Sequence, residues 1–225
     1  YDYLVLAQGA TTNYYNNSRL QKHAFPMKSV SEALMLRNNL LQNFELALNA
    51  MNREQRNALL NVVIVGGGPT GVELAGAIAE MKKKILPKDY AELNFRHMHI
   101  YLLEAAPGLL NGMHAKLGKA VQTYLNQLGV EVHTGTAVKD YDGETVMLSN
   151  GETIGSHTLI WAAGVRGVII PGIPEDTVAA NGRLFVNEYN NLKGLNDIYA
   201  IGDIALMQDD TYSKGHPQVA QVAIQ

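Results

Sequence analysis

The 225-residue sequence contains no cysteine. It can therefore form no disulfide, offer no thiolate to zinc and carry no redox dithiol of its own. Neither sign of charge dominates: 18 Lys and Arg against 21 Asp and Glu leave a net −3. That balance argues against nucleic acid as a partner held by bulk electrostatics. Long apolar runs are missing as well, and none has the length needed to span a bilayer. No N-terminal stretch reads as a signal peptide, and together these absences fit a cytoplasmic protein. The seven histidines are scattered. Only His97 and His99 stand close, two apart at a strand start, and no metal site is expected. What is present is an ordinary globular composition, 47% hydrophobic, long enough for one large or two modest domains with real cores.

Against that background the stretch 62–75 stands out. Val62, Val63, Ile64 and Val65 are an apolar strand that stops in Gly66-Gly67-Gly68, and a helix-forming stretch (73–84) follows. The spacing Gly66, Gly68, Gly71 matches the loop that holds a dinucleotide pyrophosphate. The first glycine allows the tight turn, the second lets the ligand approach the backbone, and the third lets helix and strand pack closely. Helical N–H groups and the helix dipole then favour the phosphate charge.

The remaining pattern is α/β. Residues 1–9 read as a strand ending at Gly9, and 11–22 as an Asn-rich loop closed by Pro26. Ser29 and Glu32 have capping-box spacing ahead of a helix whose apolar face (Leu34, Leu36, Leu40, Leu41, Phe44, Leu46, Ala47, Leu48) is expected in the core. Lys82, Lys83 and Lys84 suit a helix C-terminus, and Pro87 breaks that helix. A strand over 99–104, a helix over 114–128 closed by Gly129, and a strand over 130–133 follow. Alternation up to Ile154, with turns at Asp142-Gly143 and Asn150-Gly151, predicts an antiparallel meander. Two further apolar strands stop at glycine: one ends in Trp161-Ala162-Ala163-Gly164, the other in Ile201-Gly202-Asp203.

Three carboxylates are candidates for chemistry. Glu104 ends the strand after the glycine loop, where an acid accepts hydrogen bonds from both hydroxyls of an adenosine ribose and repels a 2′-phosphate. No arginine follows it directly (Ala105-Ala106-Pro107), which favours NAD over NADP; a surface glutamate is the plainer reading. Asp203, after Gly202, can hold a polyol such as a flavin ribitol, or cap a helix. Glu73 near the start of the glycine-loop helix complements the helix dipole.

Taken in order, Tyr1-Asp2-Tyr3-Leu4-Val5-Leu6-Ala7-Gln8-Gly9, the loop 66–71, Trp161-Ala162-Ala163-Gly164-Val165 and Ile198-Tyr199-Ala200-Ile201-Gly202-Asp203 resemble the two-dinucleotide flavoproteins of the pyridine nucleotide-dependent oxidoreductases. Pro69-Thr70-Gly71-Val72-Glu73-Leu74-Ala75-Gly76, Leu86-Pro87-Lys88-Asp89-Tyr90 and the stretch 216–225 are similar to the type II NADH dehydrogenases within them. One departure is local: the Ala-Thr-Gly that ends the first strand in that family is Ala7-Gln8-Gly9 here.

The resemblance implies a Rossmann-like NADH-binding domain over 24–187, with a parallel sheet and an antiparallel meander. Remnants of a split FAD domain, 1–23 and 188–225, flank it. It implies NADH at Gly66, Gly68, Gly71, Glu104, Gly164 and Val165, and FAD at Gly9, Gly202, Asp203, Ala220 and Gln221. A quinone entrance falls at Gln221 and Gln225, and Glu73 is the one candidate for a catalytic role. It also implies hydride transfer from NADH to FAD and then electrons to a quinone, with a homodimer as one arrangement. The whole protein is expected at the cytoplasmic side of the plasma membrane, peripherally attached through a segment beyond Gln225. The sequence has no initiator Met and stops inside a helical pattern. It is expected to be a piece of a longer chain, inactive without the flavin unit upstream. Two alternatives stay open: the nucleotide domain of another FAD-dependent reductase (disulfide, ferredoxin or rubredoxin), or a non-catalytic NADH-binding module.

Overall fold

The computed structural model describes residues 2–111, 113–213, 215, 216 and 218. In chain order the elements begin with β1 (Leu4–Leu6), β2 (Ala10–Thr12), α1 (Ser18–His23), β3 (Phe25–Pro26), α2 (Val30–Leu48), α3 (Arg53–Leu60) and β4 (Val62–Val65). Next come α4 (Pro69–Lys84), α5 (Leu86–Asp89), β5 (Ile100–Glu104), α6 (Ala115–Gln127), β6 (Val130–Thr134) and the meander β7 (Val138–Tyr141), β8 (Thr145–Leu148), β9 (Thr153–Gly155). The chain closes with β10 (Thr158–Trp161), β11 (Val165–Gly167), β12 (Leu184–Val186), β13 (Ile198–Ala200) and β14 (Ala205–Met207). The contacts separate into two units, Tyr14–Gly164 and Tyr1–Asn13 with Val165–Gln225.

The central unit is built on a parallel sheet in the order β3-β10-β4-β5-β6. Parallel strands covered on both faces need apolar side chains at every position, and all four residues of β4 are buried. Alternation sends Val62 and Ile64 into a core with Leu36, Leu40, Phe44 and Ala75. Val63 and Val65 enter a second core with Leu20, Tyr141, Val146 and Trp161. The fold is thus mixed α/β with a parallel sheet and an antiparallel meander (β7-β8-β9), as expected from the sequence.

Several local expectations need correction. The polar stretch 11–22 is not all loop: β2 opens it, and Asn17 caps α1 by accepting from the backbone N–H groups of Arg19 and Leu20. Turn chemistry and cap chemistry use the same residue type, and the buried Leu20 is the anchor that decides. Ser29 and Glu32 do form a reciprocal capping box. The α2 stripe is only half core: Leu36, Leu40, Phe44 and Ala47 are buried, whereas Leu34, Leu41, Leu46 and Leu48 are exposed. Leucine is a good helix former on either face, so its count overstated the buried arc. Finally, α3 was not foreseen; its Asn52 cap accepts from Gln55.

In the other unit, parallel pairs β1-β13 and β12-β14 and the antiparallel pair β2-β11 surround a small core of Leu6, Leu184, Val186, Leu192, Ala200 and Ile204. Gly9 and Gly202 follow the carboxyl ends of the adjacent parallel strands β1 and β13, and Ile201 N–H donates to Leu6 O across them at 3.0 Å.

Candidate active site: a dinucleotide cleft

Each glycine of the loop between β4 and α4 has its own physical reason. Gly66 has φ +114°, and a Cβ there would stand 2.4 Å from Ala162 O. A Cβ on Gly71 would lie 1.9 Å from Gly66 O, so helix and loop approach to a distance only glycine permits. Gly68 is different: no atom lies within 4 Å of its Cβ position. Its bareness does nothing for the packing and leaves room for something else. Gly68 is the N-cap of α4, no side chain caps that end, and Pro69 occupies the first turn. The first turn's N–H groups have no intrahelical acceptor, and they carry the positive end of the helix dipole.

Gly67, which the spacing Gly66, Gly68, Gly71 passes over, is held most tightly. Its N–H donates to Glu104 Oε2 at 2.5 Å, its carbonyl accepts from Leu110 N–H at 2.8 Å, and a Cβ would meet Leu109 Cδ2 at 2.6 Å. Glu104 Oε1 accepts from Ala106 N–H at 2.7 Å. The carboxylate is thus oriented by two backbone donors, one of them in the loop itself. That loop amide is taken by the protein's own acid.

A cleft of about 480 Å³ opens over this loop. Gly66, Gly67 and Gly68 form its floor, Glu104, Asn111 and Thr136 line one side, and Tyr15, Trp161, Ala163 and Gly164 line the other. The strand order explains the position. From β4 the chain crosses to β5 and β6 on one side, whereas β10 lies on the other. Open α/β sheets bind ligands beyond the carboxyl ends of their strands at such a reversal. A larger, shallower depression of about 690 Å³ lies at residues such as Asn57, Asn61 and His157. It is at the amino ends of β4 and β10, away from the glycine loop.

Of the residues singled out from the sequence, Gly66, Gly68, Gly71, Glu104 and Gly164 come together in or beside this cleft. Val165 begins β11 in the other unit. Gly164 has φ +141°, and a Cβ on it would stand 2.8 Å from the Tyr15 hydroxyl. Glu73 is exposed and is the fifth residue of α4, one beyond its first turn. The dipole argument therefore applies to it weakly, because the effect fades after that turn. Gly67, Tyr15, Asn111 and Thr136 escaped the sequence reading. Only Gly67 left a trace, as the middle of three consecutive glycines.

In the other unit, Gly9 (φ +70°) and Gly202 (φ +72°) both have open space where a side chain would stand. Asp203 is half-buried inside a short 3-10 turn whose N-cap is Ile201, so it does not serve as the helix cap. The Gln8 side chain donates to Val168 O at 2.8 Å, and its Oε1 is buried with no hydrogen-bond partner. Arg183 is buried and donates to the carbonyls of Ala205 and, at 3.3 Å, His216. Burial pulls its pKa down, and Asp203 opposes that. Ala220, Gln221 and Gln225 lie outside the described residues.

The profile of the pyridine nucleotide-disulphide oxidoreductases matches residues 1–225. The chain belongs to that family. Among curated members, the type II NADH:quinone oxidoreductase of Mycobacterium tuberculosis is 36% identical over the whole chain, which covers 49% of that relative. A probable mitochondrial NADH-ubiquinone oxidoreductase of Schizosaccharomyces pombe is 30% identical, with 42% of it covered. Among solved structures, NDH2 of Plasmodium falciparum in complex with NADH superposes with a TM-score of 0.83 at 29% identity, over 92% of this chain and 44% of that one. The chain thus spans about half the length of the relatives it matches.

Proposed function

We propose that this chain is the NADH-binding portion of a flavoprotein that transfers hydride from NADH to FAD and passes electrons on to a quinone. The observation that carries the nucleotide part is Gly68: a bare position at an uncapped helix start, in a cleft whose neighbouring strand ends in an oriented carboxylate. In this reading the pyrophosphate lies against the first turn of α4. Glu104 accepts from the adenosine ribose hydroxyls, and its charge, with no cation at Ala105 or Ala106, disfavours a 2′-phosphate. Gly164 and Val165 line the path to the nicotinamide, with Glu73 a further candidate near it. The electron-transfer part rests on relatives named as NADH:quinone oxidoreductases.

Residues 24–187 are the nucleotide domain in this proposal, and 1–23 with 188–225 belong to a split flavin domain; by contacts, 14–23 group with the central unit and 165–187 with the second one. The second unit's own geometry fits a flavin. Two glycines with open Cβ positions stand at the ends of adjacent parallel strands, beside a half-buried aspartate and the unpartnered Gln8 Oε1. Gly9 and Gly202 would let the cofactor approach the backbone, and Asp203 would accept from ribitol hydroxyls. When bound, the flavin supplies the hydride acceptor; the chain supplies binding, orientation and water exclusion. In the whole protein the proposal extends to quinone entry near Gln221 and Gln225, a homodimer, and peripheral attachment at the cytoplasmic face of a membrane.

Calorimetric titration of the 225-residue chain with NADH and NADPH tests the nucleotide assignment. NADH is expected to bind at least about tenfold more tightly, a difference of about 1.4 kcal/mol, and Glu104→Ala is expected to erase the preference. Equal affinity in the unaltered chain would remove Glu104 from the ribose site, and no NADH binding at all would end the proposal.

A further inference from the structure

The cleft has a wall that the nucleotide-binding motif does not supply. Tyr15 comes from the turn before α1, far from the glycine loop in sequence, yet it lines the same cleft. Both Tyr15 (φ 50°) and Asn16 (φ 61°) are left-handed, a conformation that non-glycine residues adopt at a cost. The turn is held at both ends. Tyr14 stacks on Trp161 with centroids 6.0 Å apart, and Asn17 caps α1 while its amide donates to Lys139 O at 2.9 Å.

Tyr15 itself is fixed in place. Its hydroxyl donates to Ala163 O at 3.0 Å, and its ring stands edge-on to Trp161 at 6.4 Å. Gly164 is kept bare by that same hydroxyl. Even so, 65% of Tyr15 is exposed. An aromatic ring anchored at its polar tip, backed by a tryptophan and open on the cleft side is built to receive a flat partner.

Topology says which half of a dinucleotide meets it. Under the proposed function, on which this inference rests, Glu104 at the end of β5 takes the adenosine ribose and Gly68 the pyrophosphate. The other half must then extend across β4 toward β10, whose carboxyl end carries Ala163, Gly164 and the Tyr15 ring. We infer that Tyr15 is a positioning residue for the nicotinamide half of the ligand. It supplies an aromatic wall that ADP-ribose, which lacks the nicotinamide, does not use.

The discriminating experiment compares NADH with ADP-ribose by calorimetry on the 225-residue chain and on Tyr15→Ala and Tyr15→Phe. Tyr15→Ala is expected to weaken NADH by about tenfold while leaving ADP-ribose unchanged. Tyr15→Phe keeps the ring and is expected to hold NADH affinity within about threefold. Equal weakening of both ligands by Tyr15→Ala would make Tyr15 a mere support of the cleft and overturn the inference. So would no change in either ligand, or a Tyr15→Phe loss as large as that of Tyr15→Ala. These results leave the nucleotide assignment standing. Failure of the unaltered chain to bind either ligand removes that assignment, and Tyr15's role with it.

Discussion

The two units solve the same problem, burying parallel strands, with unequal means. The central unit puts five strands side by side and covers both faces, so that Val62, Val63, Ile64, Ile100, Leu102 and Leu103 are entirely inaccessible. Among the described residues, the strands of the other unit pair in twos. Of β1, Leu6 is buried, while Val5 is 56% exposed and the preceding Tyr3 67%. A lone strand pair is marginal in water, and parallel strands occur almost only where both faces are covered. What holds the second unit is a small core reinforced by polar ties such as Arg183 to the Ala205 carbonyl. The lesson is that stability and open ligand space are distributed differently. In the first unit the sheet is five strands wide and the site is a cleft above it. In the second the candidate flavin residues Gly9, Gly202 and Asp203 follow the ends of a strand pair where Tyr3 and Val5 are exposed.

The comparison breaks most easily at the cores. Phe44 is fully buried and meets Tyr90 and Phe95 edge-on at 5.5 and 5.9 Å. Phe44→Ala is expected to cost about 3–5 kcal/mol in denaturant unfolding. Tyr3→Ala, in the second unit, removes an exposed ring whose aromatic neighbour is Tyr199 at 6.2 Å. It is expected to stay within about 0.5 kcal/mol. A comparable loss at both positions would mean that β1 is as firmly packed as the central sheet, contrary to the accessibility argument.

A finer contrast lies inside the glycine loop, where packing and ligand space are divided among neighbours. Gly71→Ala forces a Cβ onto the Gly66 carbonyl and is expected to destabilise the fold by about 1–3 kcal/mol or more. Gly68→Ala enters open space. It should leave thermal unfolding essentially unchanged while reducing NADH affinity by about tenfold or more. If Gly68→Ala bound NADH normally, the bare position would have no ligand to serve.

The sequence made some of this legible and hid the rest for identifiable reasons. Val62–Val65 ending in glycine could be read directly, because a short apolar run and a helix start carry the whole signal locally. Glu104 followed from its place at the next strand end. Tyr15 could not be read: its meaning is a hydrogen bond to Ala163, 148 residues away, and a positive φ that no residue type announces. Strands β2 and β11 have three residues each, too few for a period, and only their long-range pairing defines them. Asn17 looked like a turn residue because a cap and a turn use the same side-chain acceptor. The meander turns at Gly143 and Gly151 were visible because both need a positive φ, 108° and 89°.

The last contrast concerns that meander, which packs against one face of the central sheet. The Tyr141 ring is buried, and its hydroxyl lies 2.9 Å from Gly143 O and 3.1 Å from Ser156 O. Burial, helped by the charges of Asp142 and Glu144, pushes its pKa far above the ordinary tyrosine value. The folded state therefore keeps the proton that the unfolded chain releases near pH 10. The stability this group contributes is fully present below about pH 10 and is lost as pH rises from there toward the folded pKa. Tyr141→Phe removes the titration together with the hydrogen bonding. It is expected to lower stability by about 0.5–1.5 kcal/mol at neutral pH and to flatten the alkaline limb of an unfolding series taken from pH 8 to pH 11, bracketing that value. A limb as steep in the variant as in the unaltered protein would place the alkaline loss elsewhere and show that covering the sheet does not depend on this buried hydroxyl.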